Sequence, residues 1–353
     1  MHFRWNYEKP TPEQSQVAKE LAAKLCISPV LTSLLVKRGV TTECAAKRFF
    51  RPQLADLINP FVMKDMDIAV ERLNDAMGRK ERILVYGDYD VDGCTAVALV
   101  YKFLRQYYSN IDYYIPDRYD EGYGVSNRGI DYAKQTGVKL IIILDCGIKA
   151  VEEIAYAKSL GIDFIVCDHH MPDEQLPNAV AILNPKQDND PYPFKDLCGC
   201  GVGFKFMQAF AKNNGIPFSR LIPLLDFCAV SIAADLVPVV DENRILAFHG
   251  LKQLNQNPSI GLKAIIDTCG LTGRELSMSD IVFKIGPRIN ASGRMESGRE
   301  SVDLLVERDF GVALQEAKHI DLYNEQRKDV DRHMTEEANQ IVARLDTQKH
   351  QSS

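Results

Sequence analysis

Aspartates and histidines able to hold metal ions or move protons fall into three short groups: Gly87-Asp88-Tyr89-Asp90-Val91-Asp92-Gly93, Asp145-Cys146-Gly147 and Asp168-His169-His170. In the first, carboxylates alternate with Tyr89 and Val91, so a locally extended turn would project Asp88, Asp90 and Asp92 to one side. No basic residue lies close by in the chain to pair with them. Like charges held together repel unless cations neutralise them. Adding Asp145 and an imidazole gives a mixed oxygen and nitrogen set, suited to Mn²⁺ or Mg²⁺ rather than to a thiolate-preferring ion. Two such ions sharing a carboxylate activate a water and stabilise both oxygens of a phosphoryl displacement, which makes phosphoester hydrolysis the favoured chemistry. Any one of these aspartates alone reads equally well as a turn former or helix cap. It is the three groups together that define a site.

The surrounding pattern explains how such distant groups could meet. Ile83–Tyr86, Tyr113–Ile115, Leu140–Leu144, Phe164–Cys167 and Val180–Leu183 are short apolar runs of strand character, most of them followed by a helix-length stretch. This is βαβ alternation, hence an α/β fold with a parallel sheet flanked by helices. Each acidic group directly follows a strand, at the carboxyl edge where open parallel sheets bind ligands. Ahead of the sheet, Glu13–Leu25, Pro29–Lys37, Thr42–Phe50 and Met66–Met77 carry apolar residues at helical spacing, with Thr41, Thr42 and Asp65 as candidate caps. After the Pro185–Pro193 loop, helices are expected near Phe204–Lys212, Leu221–Ala234, Ile245–Leu254 and Leu262–Cys269, then one long charged helix from Val312 to about Leu345. The expected organisation is a helical lead-in over 1–80, a sheet domain over 81–300 and a connecting helix over 301–353. A terminal helix that long usually leads to something, so a further domain is expected beyond it.

The three groups, the second extended back to Leu144, resemble in order and separation the first three motifs of the DHH phosphoesterases, and Ala234-Asp235 resembles the fourth. The resemblance implies that Asp90, Asp92, Asp145, His169 and Asp235 ligate two Mn²⁺ or Mg²⁺ ions, with Asp145 as the bridge. It implies that Asp88 orients the site or binds metal, and that His170 contacts the scissile phosphate or supplies a proton. One position departs from the pattern. Where this chain has Tyr86, four residues before Asp90, RecJ-like members of the family often carry a metal-binding histidine, which leaves the occupancy of one metal site open.

Substrate class has to come from other segments. Asn59-Pro60-Phe61 through Lys64–Asp67 to Ala69–Leu73, preceded by Arg38–Thr42, is similar to the lead-in of RecJ-like exonucleases. Ile115-Pro116-Asp117-Arg118 with Glu121–Gly124 resembles their second-strand loop, and Gly286–Met295 their arginine-bearing loop. These likenesses imply a cytoplasmic exonuclease of DNA repair and recombination that degrades single-stranded DNA from 5′ to 3′. Single-strand-binding protein and a helicase are then the implied partners, and a monomer is expected. Arg118, Arg288 and Arg294 are read as lying in glycine-bearing loops where guanidinium forks could grip phosphate, with Asn290 beside them. The resemblance points to Arg118 and Arg288 for a 5′ phosphate. Taken singly, each arginine reads as well as a surface ion pair. Tyr119 and Tyr123 suit sequence-tolerant stacking on bases. The rival readings are a DHH phosphodiesterase for short oligonucleotides or cyclic dinucleotides, and a non-catalytic DNA-binding replisome scaffold. A scaffold gains nothing from unpaired buried carboxylates.

Gly199-Cys200-Gly201-Val202-Gly203-Phe204-Lys205 has the glycine content of a phosphate cradle, but neither Walker A nor G-x-G-x-x-G spacing, and is read as a tight structural turn. His249, His319 and His333 fall on helical patterns far from the acidic groups. Bulk properties fit this reading. With 353 residues, 46% hydrophobic and 25% charged, the chain has globular composition. The net charge of −6 argues against broad duplex binding, although metal-binding carboxylates inflate that count. Cys198 and Cys200, the closest pair among nine cysteines, have the wrong spacing for a zinc knuckle or redox pair, so reduced thiols are expected. Neither a signal peptide core nor a membrane-length apolar run is present, and a protein without membrane contact is expected.

Overall fold

A computed structural model describes residues 8–295 and 298–344, apart from the side chains of Arg294, Met295 and Arg344. Two compact units are formed, divided after Leu57. In the first, helices α1 (Pro12–Leu25), α2 (Pro29–Lys37) and α3 (Glu43–Phe50) close over Leu21, Leu35 and Ala46. Their starts are fixed locally. Thr11 and Gln14 form a capping box, and Thr42, not Thr41, caps α3 through Ala45 N at 3.1 Å.

The second unit opens with α4 (Met66–Gly78), which packs on the last strand and on a later helix of that unit. Helix α4, part of the helical lead-in expected over 1–80, thus belongs to the second unit. Asp65, expected to cap α4, adopts φ +61° and makes no side-chain cap; its carboxylate accepts from Ile182 N of the last strand instead. The sheet follows: β1 (Arg82–Gly87), α5 (Val91–Leu104), β2 (Ile111–Tyr114), α6 (Asn127–Gln135), β3 (Val138–Leu144), α7 (Val151–Ser159), β4 (Asp163–Cys167) and β5 (Ala181–Leu183). All pairings are parallel and the order is β2-β1-β3-β4-β5. Right-handed crossovers put α6 and α7 on one face and α5 on the other, because the chain steps one way from β1 to β2 and the opposite way thereafter. The α6/α7 face buries Leu84, Tyr86, Ile141, Ile143, Phe164 and Val166. Strand direction of travel reverses between β1 and β3, so the switch point lies where their carboxyl ends diverge.

The remaining elements are α8 (Gly199–Asn213), α9 (Leu225–Ala234), α10 (Asp241–Gln256), α11 (Ile260–Thr268), a short α12 (Met278–Asp280) leading through a π-helical turn (Ile281–Ile285) into α13 (Gly286–Met295), α14 (Gly298–Val306) and α15 (Phe310–Arg344). Helix α5 is buried on nearly all sides, between β1 and helices α8, α9 and α14, which is why its sequence is apolar without a polar stripe. Two expected loops turn out to be helical. Gly199–Lys205 forms the first two turns of α8, and Gly286–Met295 is α13. The first part of α15 packs on α11 and α13, while from Lys328 to Ala343 its residues are exposed. Residues from 345 onward, including the expected end of that helix, lie outside the described residues. No helix among the described residues is long and apolar enough to cross a membrane.

Candidate metal centre

At the carboxyl edge, β1 delivers Asp88 and Asp90, β3 delivers Asp145, and β4 delivers Asp168, His169 and His170. Asp235 arrives from the C-terminal end of α9. The turn after β3 is strained: Asp145 has φ +63°, a left-handed conformation that aspartate tolerates better than most residues. Its backbone N–H is held by Cys167 O at 2.9 Å.

The first aspartate group does not stay extended. Asp90 caps α5, accepting from Gly93 N at 2.9 Å, and Asp92 lies inside the first turn. The three carboxylates therefore divide between two donor groups. Asp88 and Asp90 meet Asp145, whereas Asp92 meets His169 and Asp235; a third set joins Asp145, His169 and His170, with potential ligand atoms in each set within 4.8 Å of one another. Asp145 and His169 each belong to two sets. His169 Nε2 lies 3.1 Å from Asp145 Oδ1, 3.7 Å from Asp92 Oδ2 and 3.8 Å from Asp235 Oδ2.

Several buried polar atoms here form no hydrogen bond within the protein: Asp88 Oδ1, Asp145 Oδ1, Asp235 Oδ2 and both ring nitrogens of His169. Burial, reinforced by neighbouring carboxylates, pushes Asp88 and Asp235 each up to about 7, and Asp145 well above the carboxylate range. Burial likewise depresses His169. An acidic cluster this dry is stable as carboxylates only with cations among them, so the donor set fits divalent ions.

Two supporting arrangements carry no obvious sequence signal. Asp92 is gripped by Gly199 N at 2.6 Å and Cys200 N at 2.7 Å, the free amides at the start of α8, and by Ser231 Oγ at 2.7 Å. The glycine-rich segment thus cradles an anion, as helix N-termini do, but the anion is a carboxylate of the protein itself. Lys205, which ends that segment, is fully buried in an ion pair with Glu242 at 2.9 Å. Asp168, to which sequence reading gave no separate role, accepts from the backbones of Ile148 and His169 and pairs with His170 Nδ1 at 2.8 Å. That hydrogen bond, outweighing burial, raises the pKa of His170.

Tyr86 does not join the cluster. Its hydroxyl donates to Gly124 O at 3.1 Å and accepts from Ser126 N at 3.2 Å, and its ring stacks on Tyr114. The residue ties the loop after β2 to β1. On that loop, Tyr123 meets the rings of both Tyr89 and His170 edge-on at 6.3 Å, and the exposed Arg118 guanidinium lies 5.3 Å from the Tyr89 ring centre. Arg118 and Tyr123 are therefore brought to the rim, and Tyr119, on the same loop, is 72% exposed. Arg288 is not: it turns to α15, pairing with Asp321 Oδ1 at 2.8 Å and donating to Lys284 O. Asn290 lines a cavity beside the cluster. The side chain of Arg294 lies outside the described residues. His249, His319 and His333 sit on α10 and α15 and enter none of the donor groups.

Sheet order, switch-point carboxylates and paired histidines are those of a DHH phosphoesterase domain. Residues 82–232 match the DHH family, N-terminal domain, and the chain belongs to that family. Within it, the chain is similar to the single-stranded-DNA-specific exonuclease RecJ of Bacillus subtilis (strain 168), 40% identical over 340 residues, covering 96% of this chain and 42% of the relative. It is 35% identical over 332 residues to the RecJ of Escherichia coli (strain K12), covering 91% of this chain and 57% of that protein. The chain spans about half the length of these curated relatives. Among solved structures, an exonuclease RecJ bound to manganese superposes with TM-score 0.73 at 29% identity, covering 81% of this chain and 71% of that one. RecJ from Thermus thermophilus in complex with Mn²⁺ gives 0.79 at 25% identity, covering 94% of this chain and 46% of that one.

Proposed function

We propose that this chain hydrolyses terminal phosphodiesters of single-stranded DNA, with two divalent ions, Mn²⁺ or Mg²⁺, held by Asp88, Asp90, Asp92, Asp145, His169 and Asp235. The observation that carries the reading is the overlap of the donor groups on Asp145 and His169, which lets one carboxylate bridge neighbouring ions. Such ions supply an activated water and neutralise the charge that builds on the phosphate. Around them the protein supplies position. The α8 amides and Ser231 fix Asp92, and the Cys167 carbonyl fixes the turn bearing Asp145. Asp168 holds His170 with a raised pKa and its Nδ1 engaged, so the rest of the ring can face a phosphate oxygen or give a proton to the departing one. Tyr123 and Tyr119 offer stacking surfaces and Arg118 a cation beside the entrance.

Likeness to the RecJ exonucleases supports single-stranded DNA as substrate, and 5′ to 3′ polarity follows from that resemblance. The same likeness favours partners that expose or coat single strands, a helicase and a single-strand-binding protein, with this chain acting as a monomer. All nine cysteines are free thiols, in keeping with a cytoplasmic setting. A long 5′-labelled single strand, the matching duplex, a dinucleotide and a cyclic dinucleotide, each incubated with Mn²⁺ and the full chain, test the proposal. Stepwise loss from the single strand, abolished by Asp145→Ala, is expected. Turnover confined to the small substrates would assign the site to an oligonucleotide or cyclic-dinucleotide phosphodiesterase instead.

A further inference from the structure

Strands β1, β3 and β4 carry most of the donor cluster, and β2 leads into the loop with Arg118 and Tyr123. The fifth strand, β5, ends at the same carboxyl edge, next to β4 and its Asp168-His169-His170. It runs on into Asn184-Pro185-Lys186-Gln187. From Ala181 to Gln187 every residue is buried except Lys186, which is half-buried.

The turn that carries Lys186 is anchored on both sides. Asn184, fully buried, donates from Nδ2 to His170 O at 2.9 Å, and its Oδ1 accepts from Lys186 N at 2.8 Å. Gln187 Nε2 donates to Ile182 O at 2.7 Å, and Asp168 N donates to Leu183 O at 3.0 Å. Pro185 fixes φ between these anchors. Lys186 and the histidine pair are therefore parts of one assembly, joined through Asn184. A lysine serving solubility alone needs no such base.

The ammonium itself is not engaged. Among the described residues Lys186 forms no ion pair, and its Nζ makes no hydrogen bond. Its positive charge nevertheless acts on Asp235 and on His169, which places it on the side of the Asp92, His169 and Asp235 donor group. Other cations around the site are committed: Lys149 pairs with Asp173 at 3.1 Å, Lys205 with Glu242 and Arg288 with Asp321. Two divalent ions would neutralise most of the charge on the five ligand aspartates, and with it most of their pull on Lys186. A phosphate brought onto those ions adds new negative charge within its reach, and a free ammonium is a ready donor to a phosphate oxygen.

We propose that Lys186 is a catalytic residue of the hydrolysis, its ammonium donating from the β5 side to a non-bridging oxygen of the scissile phosphate and countering the charge that builds there. Asn184 is its positioning residue, setting Lys186 and His170 on one base. The inference rests on the reading of the neighbouring cluster as a phosphodiesterase centre.

The test combines isothermal titrations of the full chain, with Mn²⁺ and with inorganic phosphate in Mg²⁺, and steady-state cleavage of a labelled single strand. It is run on the parent, Lys186→Gln, Lys186→Arg and Lys139→Gln, the last an equal charge change at an exposed lysine on the amino end of β3. Lys186→Gln is expected to lower kcat about 10- to 100-fold, the worth of one charge-assisted hydrogen bond, and to weaken inorganic phosphate several-fold. Its KM, Mn²⁺ stoichiometry and melting midpoint should stay parental. Lys186→Arg restores the cation and should recover a good part of both losses, and Lys139→Gln should match the parent throughout. If Lys186→Gln has no cooperative melting transition, Lys186→Met, which keeps the apolar stem, takes its place. Parental kcat in Lys186→Gln would overturn the proposal. A loss of Mn²⁺ stoichiometry alongside kcat would do the same, by making Lys186 a structural support, as would a raised KM at parental kcat, by assigning it to a flanking phosphate. Lys186-dependent phosphate binding in a chain that cuts no DNA would leave the anion contact standing and defeat the nuclease reading, whereas full cleavage without the lysine would do the reverse.

Discussion

Substituting Gly199 by alanine should disable the metal centre far more than it destabilises the fold. The added methyl would lie 2.7 Å from Asp145 Cβ and 2.6 Å from its Oδ1. Since non-bonded carbons rest about 3.5–4.0 Å apart, Asp145 or the start of α8 must retreat by at least ~0.8 Å. Metal–ligand distances tolerate only about 0.2 Å. Asp145 cannot yield freely, because its backbone is held by Cys167 and sits at φ +63°. If α8 moves instead, Gly199 N withdraws from Asp92 and the second donor group is disturbed. Either way a shared ligand is misplaced by close to an ångström, a displacement that costs roughly 10²-fold in rate, whereas overpacking itself costs about 1–3 kcal/mol. Gly203→Ala is the control: its methyl would meet Leu144 Cδ2 at 3.0 Å and Val100 Cγ2 at 3.3 Å, side-chain methyls of the core and not a donor carboxylate. Calorimetric Mn²⁺ binding, kcat on a labelled single strand and urea melts on both variants provide the comparison. Parental Mn²⁺ affinity and rate in Gly199→Ala, or an equal loss of activity in Gly203→Ala, would show that the contact with Asp145 does not set the metal site.

Other consequences follow from the buried charges. Asp88 and Asp235 are each raised to about 7, chiefly by burial, so the metal-free native state holds protons that the unfolded chain releases above about pH 4. Stability in chelator should therefore fall as pH rises through the window from about 4 to 7, and Mn²⁺ binding below pH 7 should weaken and release protons; urea melts in chelator and titrations in buffers of different ionisation enthalpy check this, and a stability that climbs with pH would contradict it. Lys205→Met breaks a fully buried ion pair and should cost about 3–5 kcal/mol while leaving kcat per folded molecule unchanged; lost activity at parental stability would restore a phosphate role for that lysine. Tyr86→Phe strands Gly124 O and Ser126 N, so it should cost about 1–3 kcal/mol by thermal denaturation, with the Mn²⁺ stoichiometry retained.

The parallel strands and the acidic edge were legible because their signals are local. Apolar runs of strand length separated by helical stretches can bury both faces only in a parallel sheet, and residues directly after such strands must reach its carboxyl edge. Asp88, Asp145 and His169 therefore meet regardless of side-chain detail, whereas Asp235 is brought to them by the packing of α9. Partnership across the sequence was not legible. Glycines at 199 and 286 open helices and do not form loops, and at 199 the missing side chain permits a close approach to Asp145, a contact that no neighbouring residue reveals. Only the packed structure decides that the α8 amides spend themselves on Asp92, that Lys205 neutralises Glu242 in the core, and that Arg288 braces α15 while Arg327 reaches the cavity. Chemical type is a property of single residues and short spacings, so the sequence determined what this site can do. The direction in which a charged group points is settled by burial and by partners more than a hundred residues away, and that only the tertiary structure decides.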